Sequence, residues 1–162
     1  MSSARPGFPE TAFEKQRGIG LVEVRGGYAQ VHVSRLAEPI HDHRLDVLKV
    51  VAESGTSVDF LKLTPSGLSF LVSESEVNET RKALEPLQVH YTIREDRCVV
   101  LVHAVNMRDE EGLTAKIVQK ATESGALVDH ISDMHDRMMI VAESKYAQLL
   151  SDLFREEQTH GR

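Results

Sequence analysis

Few side chains in this sequence stand in a pattern that catalysis or metal binding requires. His41-Asp42-His43 combines two imidazoles with a carboxylate, and both groups are common metal ligands. Two histidines spaced by one residue, however, point to opposite sides of a strand and diverge on a helix. Cys98 precedes the apolar run 99–102, so we expect a buried and poorly ionised thiol. We therefore predict no metal site, no cofactor and no catalytic set, and expect the protein not to be an enzyme.

Two aspartates, Asp59 and Asp129, occupy matching places in an internal repeat. The order strand, helix, strand, strand, helix over residues 29–87 returns about seventy residues later. Ala52-Glu53-Ser54-Gly55 is echoed by Thr122-Glu123-Ser124-Gly125, and Val58-Asp59 is echoed by Val128-Asp129. A duplicated βαββαβ unit predicts an α+β fold made of two ferredoxin-like units with antiparallel sheets.

Hydrophobic periodicity predicts the elements of each repeat. Repeat one has strands at 29–33, 58–63, 68–72 and 89–93, with helices over 45–52 and 77–87. Repeat two has strands at 99–105, 127–132 and 138–142, with helices over 113–121 and 146–154. Gly55 and Gly125 are placed to end the first helix of each repeat in a left-handed conformation.

Repeat two lacks a fourth strand, because the chain after Phe154 is polar. The apolar segment 19–24, which we expect to end at Gly26-Gly27, has no counterpart and can complete repeat two by exchange. The predicted organisation is a flexible lead-in at 1–17, an exchanged strand at 18–26 and a first unit at 27–94. A second unit follows at 95–157, opening with a polar turn at 94–97, and a tail occupies 158–162.

The bulk composition narrows the class of partner. The net charge is −6 and no basic run is present, which argues against nucleic acid as a partner. No apolar stretch reaches the ~18–20 residues that span a bilayer, and no signal peptide is visible. With one cysteine in 162 residues, we expect a protein of a reducing compartment, by default the cytoplasm, without a membrane partner.

One segment carries a family resemblance. The stretch Asn106-Met107-Arg108-Asp109-Glu110-Glu111-Gly112-Leu113-Thr114-Ala115-Lys116, followed by His130-Ile131-Ser132, resembles the second ACT domain of the aspartokinase regulatory region. In repeat one, Val58-Asp59-Phe60-Leu61 looks like the family's Val-Asp-Met-Ile strand, and Gly18-Ile19-Gly20 looks like the start of that region. The resemblance covers residues 18–155.

The resemblance implies a pair of ACT domains that joins a partner pair in a homodimer. In that family an amino-acid effector such as lysine or threonine binds at the domain interfaces. Some aspartokinases have a separate small subunit made of this region alone, so an aspartokinase catalytic chain is the implied protein partner. The kinase domain is absent here, since the sequence has no Gly-rich phosphate loop.

An amino-acid effector presents a carboxylate that suits the free N–H groups at a helix N-terminus, and an ammonium that needs oxygen ligands. The resemblance and this chemistry together select ligand-binding candidates in both repeats. In repeat two they are Met107, Arg108, Asp109, Gly112, Leu113 and Thr114 at the helix start, with Asp129, Ile131 and Ser132 on the next strand. In repeat one they are His41, Asp42 and Asp59.

Structural roles compete with each of these assignments. Gly112 can serve only to allow a tight loop before the helix, and Thr114 can be an ordinary residue of the helix start. Asp59 and Asp129 can be exposed residues at the starts of their strands, without a ligand. Repeat one also departs from the family, because the segment 38–43 has no glycine and Leu63-Thr64 replaces a polar Gln-Asn pair. One, both or neither repeat can therefore bind. The alternative hypothesis is a structural or dimerisation module without a ligand, and a small enzyme on the same scaffold ranks last.

Overall fold

The computed structural model describes residues 18–104 and 112–160. In these ranges the chain forms six strands and four helices. In chain order they are β1 (Ile19–Ser34), α1 (Ile40–Glu53), β2 (Asp59–Thr64), β3 (Gly67–Ser73), α2 (Val77–Leu84), β4 (His90–Ala104), α3 (Leu113–Glu123), β5 (Val128–Asp133), β6 (Arg137–Glu143) and α4 (Ala147–His160). None of these helices is long and apolar enough to span a membrane.

All six strands belong to one antiparallel sheet in the order β2-β3-β1-β4-β6-β5. The long strands β1 and β4 lie at its centre and serve both repeats. The first half of β1 pairs with the second half of β4, from Ile19↔Ala104 to Arg25↔Val99. This pairing confirms the predicted α+β class and shows that the N-terminal strand completes the second unit.

Two predictions about strand ends are wrong. Gly26-Gly27 does not end the first strand, and residues 94–97 do not form a turn, because β1 and β4 run through these segments. Both segments are β-bulges: the register shifts between Arg25 and Tyr28 and again between Tyr28 and Gln30. Gly27 and Asp96 adopt positive φ there, 77° and 58°. The domain boundaries at 26 and 94 stay predictions, since the strands are continuous across them.

The bulges change which residues face the helices. In the second unit, even-numbered residues such as Val22, Val100 and Val102 pack with Ile117 of α3 and Phe154 of α4. In the first unit, odd-numbered residues of β1 and β4 pack beneath α1 and α2, among them Ala29, Val31 and Val33 of β1. Each unit thus has its own core between its helices and its half of the sheet.

A third apolar cluster joins the faces of the sheet that carry no helix. Leu71 of β3 and Phe60 of β2 pack there with second-unit residues, namely Val99, Leu101, Met139 and Val141. Tyr28 meets Phe60 edge to face, with ring centroids 6.4 Å apart. The sheet therefore folds on itself at the bulges, so that its two outermost strands, β2 and β5, approach each other.

Glycine ends the first helix of each unit, as predicted. Gly55 and Gly125 follow α1 and α3 with φ of 80° and 83°. Cys98 is buried, and burial raises the pKa of its thiol, as expected for a residue of the core. The last helix is longer than predicted, since α4 continues through the polar segment after Phe154 to His160.

Candidate functional site

A polar cavity of about 270 Å³ lies in the fold of the sheet, beside the third apolar cluster. Its floor is formed by directly paired residues of neighbouring strands. His32 of β1 pairs with Ser69 of β3 and with Thr92 of β4, and Lys62 of β2 pairs with Ser69. The other lining residues are Gln30, Thr64, Arg94, Asp129 and His130. Residues of both units therefore line this space.

Two arginines of β4 bind the carboxylate of Asp129 on β5. Arg94 Nη1 donates a hydrogen bond to Asp129 Oδ1 at 2.7 Å, whereas Arg97 Nε lies 2.8 Å from Oδ2 as an ion pair without hydrogen-bond geometry. The side chains of Arg97 and Asp129 are 13% and 12% exposed, whereas Arg94 is 59% exposed. Arg94 belongs to the first-unit half of β4, so this ion-pair network joins the two units at the edge of the cavity.

Lys62 and His130 meet across the cavity from the two outermost strands. Lys62 Nζ lies 3.4 Å from His130 Nδ1. Burial lowers the pKa of His130, and the neighbouring Lys62 charge lowers it further, so the imidazole is neutral at pH 7. Lys62 has no carboxylate within ion-pair distance in the part of the chain that the structure describes.

Bulges in the outer strands place these side chains. The register of β2 shifts between Asp59 and Lys62, and that of β5 shifts between Val128 and His130. In β5 the extra residue is Asp129, which turns toward the arginines. The repeated dipeptides Val58-Asp59 and Val128-Asp129 thus lie beside a bulge in each outer strand, but not at the same place: Asp59 is paired and precedes the bulge of β2, whereas Asp129 is the extra residue of β5.

The predicted binding residues do not gather in one place. Asp129 lines the cavity, but Asp59 is exposed on β2 and does not line it. Ile131 packs against the core of the second unit, and Ser132 is half-buried on β5. Since both oxygens of Asp129 already contact arginines, an effector ammonium would have to compete for that carboxylate.

The start of α1 already holds an internal carboxylate. Glu38 Oε2 accepts a hydrogen bond from the Ile40 N–H at 3.2 Å. His43 Nδ1 lies 2.9 Å from the Ala37 carbonyl oxygen, so this imidazole binds the local backbone. The predicted residues His41 and Asp42 are exposed on the first turn of α1. Glu38 thus occupies the kind of position that an effector carboxylate would take in repeat one.

The start of α3 differs. Gly112 precedes the helix with φ of 80°, and no side chain in the described residues caps its N-terminus. Leu113 is buried in the second-unit core, and Thr114 is exposed. The predicted residues Met107, Arg108 and Asp109 lie outside the described residues. Among the described residues, therefore, no side-chain carboxylate accepts a hydrogen bond from the first N–H groups of α3, in contrast to the start of α1.

Sequence reasoning missed most of the cavity, including Lys62, Arg94 and His130. A signal was present in the alternation of β1 and β4. Gln30 and His32 alternate with the core positions Ala29, Val31 and Val33, and Thr92 and Arg94 alternate with Tyr91 and Ile93. This pattern predicts a polar face on the first-unit sheet, but it does not reveal what covers that face.

Solved structures share this fold. The regulatory subunit of aspartate kinase from Thermus thermophilus, in its ligand-free form, is 20% identical, with a TM-score of 0.75 over 87% of this chain and 98% of that chain. The regulatory subunit from Thermus flavus is 21% identical, with a TM-score of 0.75 over 87% of this chain and 99% of that chain.

A whole enzyme also contains the fold. Aspartokinase III of E. coli, solved in complex with lysine and aspartate, is 11% identical, with a TM-score of 0.69 over 89% of this chain but 34% of that chain. No protein-family model matches the sequence, and no curated protein matches it either. The fold of this chain is therefore that of the regulatory subunits and regulatory regions of aspartate kinases.

Proposed function

We propose that this protein is a non-catalytic regulatory protein of the ACT type that binds an amino acid and transmits that binding to a partner chain. One observation carries the proposal: the chain matches free-standing regulatory subunits over 98–99% of their length. Its fold thus agrees with that of a regulatory subunit of aspartate kinase over nearly the whole length of that subunit.

The effector site that we propose is the start of α3 and the neighbouring strand β5. The described N–H groups of α3 carry no side-chain cap, and a helix N-terminus favours a carboxylate. Gly112 leaves space toward the described residues, since a Cβ built on it would meet none of their atoms within 4 Å. The proposed contacts are Met107, Arg108, Asp109, Gly112, Leu113, Thr114, Ile131 and Ser132.

The first unit is a weaker candidate because Glu38 already binds the start of α1. We therefore propose one effector site per chain, in the second unit. His41, Asp42 and Asp59 would then contact no effector. Asp129 would keep its contacts with Arg94 and Arg97 and would not bind the effector directly. A homodimer and an aspartokinase catalytic chain are the proposed protein partners.

Lysine and threonine are the first effectors to test. E. coli aspartokinase III was solved in complex with lysine and aspartate, which makes an amino-acid ligand chemically reasonable for this fold. A bound effector shifts the equilibrium between two states of the protein only if its affinity for the two states differs. The second state here would be the complex with a catalytic chain.

The test is thermal unfolding of the full chain against the twenty amino acids. An effector present at about 100 times its Kd stabilises the folded state by roughly 2.7 kcal/mol, which raises Tm by several degrees. Gly112→Val should abolish the shift, while Gly26→Val, at an exposed glycine in the bulge of β1, should retain it. A panel without any shift would contradict the proposal and favour a dimerisation module that binds no amino acid.

A further inference from the structure

The cavity between the two units has no role in the proposed function, yet its walls are built from polar groups. Nine of the described residues, from β1 to β4 and the facing strand β5, line it, and each of the nine has a polar or charged side chain. The volume of about 270 Å³ is far more than a single water molecule needs. The space therefore suits a small polar molecule.

The charge of the wall is positive although the protein is acidic. Lys62 and Arg94 line the cavity against one carboxylate, Asp129, while the whole chain has a net charge of −6. Both oxygens of Asp129 lie within 2.8 Å of an arginine nitrogen, Oδ1 of Arg94 and Oδ2 of Arg97, so the carboxylate is already neutralised. The ammonium of Lys62 contacts only the neutral ring of His130 among the described residues.

Donors for an oxyanion surround this positive charge. Thr64, Ser69 and Thr92 contribute hydroxyl groups, and Gln30 contributes an amide. The hydroxyl of Thr64 is buried and has no hydrogen-bond partner in the described part of the chain. A buried hydroxyl without a partner is costly, so a bound molecule that accepts its hydrogen bond would remove a penalty.

We propose that this cavity is a binding site for a small oxyanion, with Lys62 as its principal charge partner and Thr64 as a hydrogen-bond donor. Arg94, more than half exposed, contributes the outer part of the site and keeps its contact with Asp129. The anion would be a phosphate or a small carboxylate, because both present oxygen acceptors to an ammonium and to hydroxyl groups. A free amino acid fits less well, since the wall residues that the structure describes offer no unpaired carboxylate for its ammonium.

This site is separate from the effector site proposed at α3. The cavity joins β2 of the first unit to β5 of the second, so an anion bound there would fix the angle between the units. The proposal does not rest on amino-acid binding: a protein that ignores all amino acids can still bind an anion here.

Calorimetry on the full chain, at constant ionic strength, tests the proposal with inorganic phosphate and with succinate as separate probes. We expect one binding site per chain for at least one of the two anions. The anion that binds more tightly shows whether the site takes a phosphate or a carboxylate. Lys62→Gln should weaken binding about tenfold or more, whereas Lys49→Gln, which removes an exposed lysine of α1, should leave it unchanged.

Three results would overturn the proposal: no heat with either anion, equal binding by wild type and Lys62→Gln, or an equal loss in Lys49→Gln. Thr64→Val provides a second variant that keeps the β-branched shape and the net charge. It should weaken binding severalfold while raising or preserving Tm, since the orphan hydroxyl is removed. Unchanged affinity in Thr64→Val would remove that residue from the site.

Discussion

Gly67 shows how closely the backbones of the first unit approach each other. It opens β3 directly after the turn from β2, and this turn lies against β1. A Cβ built on Gly67 would lie 1.9 Å from the carbonyl oxygen of Val33 and 2.8 Å from its carbonyl carbon. Arg44 of α1 holds the same turn by donating to the carbonyl oxygens of Gly67 and Thr64. The turn therefore cannot move away freely.

Gly67→Ala should destabilise the protein by about 3 kcal/mol, because a methyl group would collide with backbone that is fixed on both sides. Urea denaturation measures the change. Gly26→Ala is the matched control, since a Cβ there meets no atom of the described residues within 4 Å and its φ is not positive. It should change stability by less than about 1 kcal/mol and in the favourable direction. Equal losses in the two variants would contradict the argument.

Glu157 ties α4 to α3 through two lysines. Its Oε2 lies 2.7 Å from Lys116 Nζ, and its Oε1 contacts Lys120 Nζ. These hydrogen bonds lower the pKa of Glu157 from its ordinary 4.5 to about 2. Since the pKa is lower in the folded state, the stabilisation is complete above pH 4.5 and is lost as the pH falls toward 2.

Glu157→Gln should lower the free energy of unfolding by about 1 kcal/mol at pH 6, a modest amount because the lysines are partly exposed. The difference between the variant and wild type should shrink steadily between pH 4.5 and pH 2. Urea denaturation at several pH values follows this difference, and other carboxylates cancel in the comparison. A difference that is constant over this range would show that the ion pairs contribute nothing.

At the scale of elements, β1 serves two cores. Val22 in its first half is 4% exposed and packs against residues of α3 and α4. Val31 and Val33 in its second half are fully buried under α1 and α2. One strand thus supplies both units, and damage to its first half should be felt mainly in the second unit.

Val22→Ala should cost about 2 kcal/mol, the range for removing buried methyl groups from a packed core. Leu21→Ala is the matched control on the same strand, because Leu21 is 55% exposed and should cost under about 0.5 kcal/mol. Amide exchange should show the larger loss of protection in β6 and α4 rather than in β3. Equal loss of protection in β3 would mean that the first half of β1 does not act through the second unit.

Some elements could be predicted from sequence because their causes are local. Gly55 and Gly125 end helices by their own backbone preference, and the missing fourth strand of repeat two identifies β1 as its replacement. The bulges could not be predicted, since residues 26–27 contain an extra residue only when Arg25 pairs with Val99 and Tyr28 pairs with Arg97, far away in the sequence. The same reason hid the cavity: Lys62 and His130 become neighbours only after the sheet folds.

At the scale of the whole molecule, the ion-pair network of Asp129 holds the folded sheet together. Arg94 and Arg97 stand on either side of the bulge in β4, and Asp129 stands on the outermost strand of the second unit. A buried charge that loses its partner is strongly destabilising, because the remaining ion keeps its desolvation cost. Arg97, at 13% exposure, would be that remaining ion.

Asp129→Asn should therefore destabilise the protein by about 3 kcal/mol, while Asp133→Asn, at an exposed position of the same strand, should be nearly neutral. Replacing Arg97 by Gln in addition should recover at least about 1 kcal/mol, since the uncompensated charge disappears with it. The unfolding transition should stay single in every variant, because β1 and β4 run through both units and neither unit keeps a complete sheet without the other. If the changes in the free energy of unfolding caused by Asp129→Asn and Arg97→Gln simply added up in the double variant, the two side chains would not be coupled. The angle between the units would then depend on the third apolar cluster alone, with Phe60 and Leu71 on one side and Leu101 and Met139 on the other.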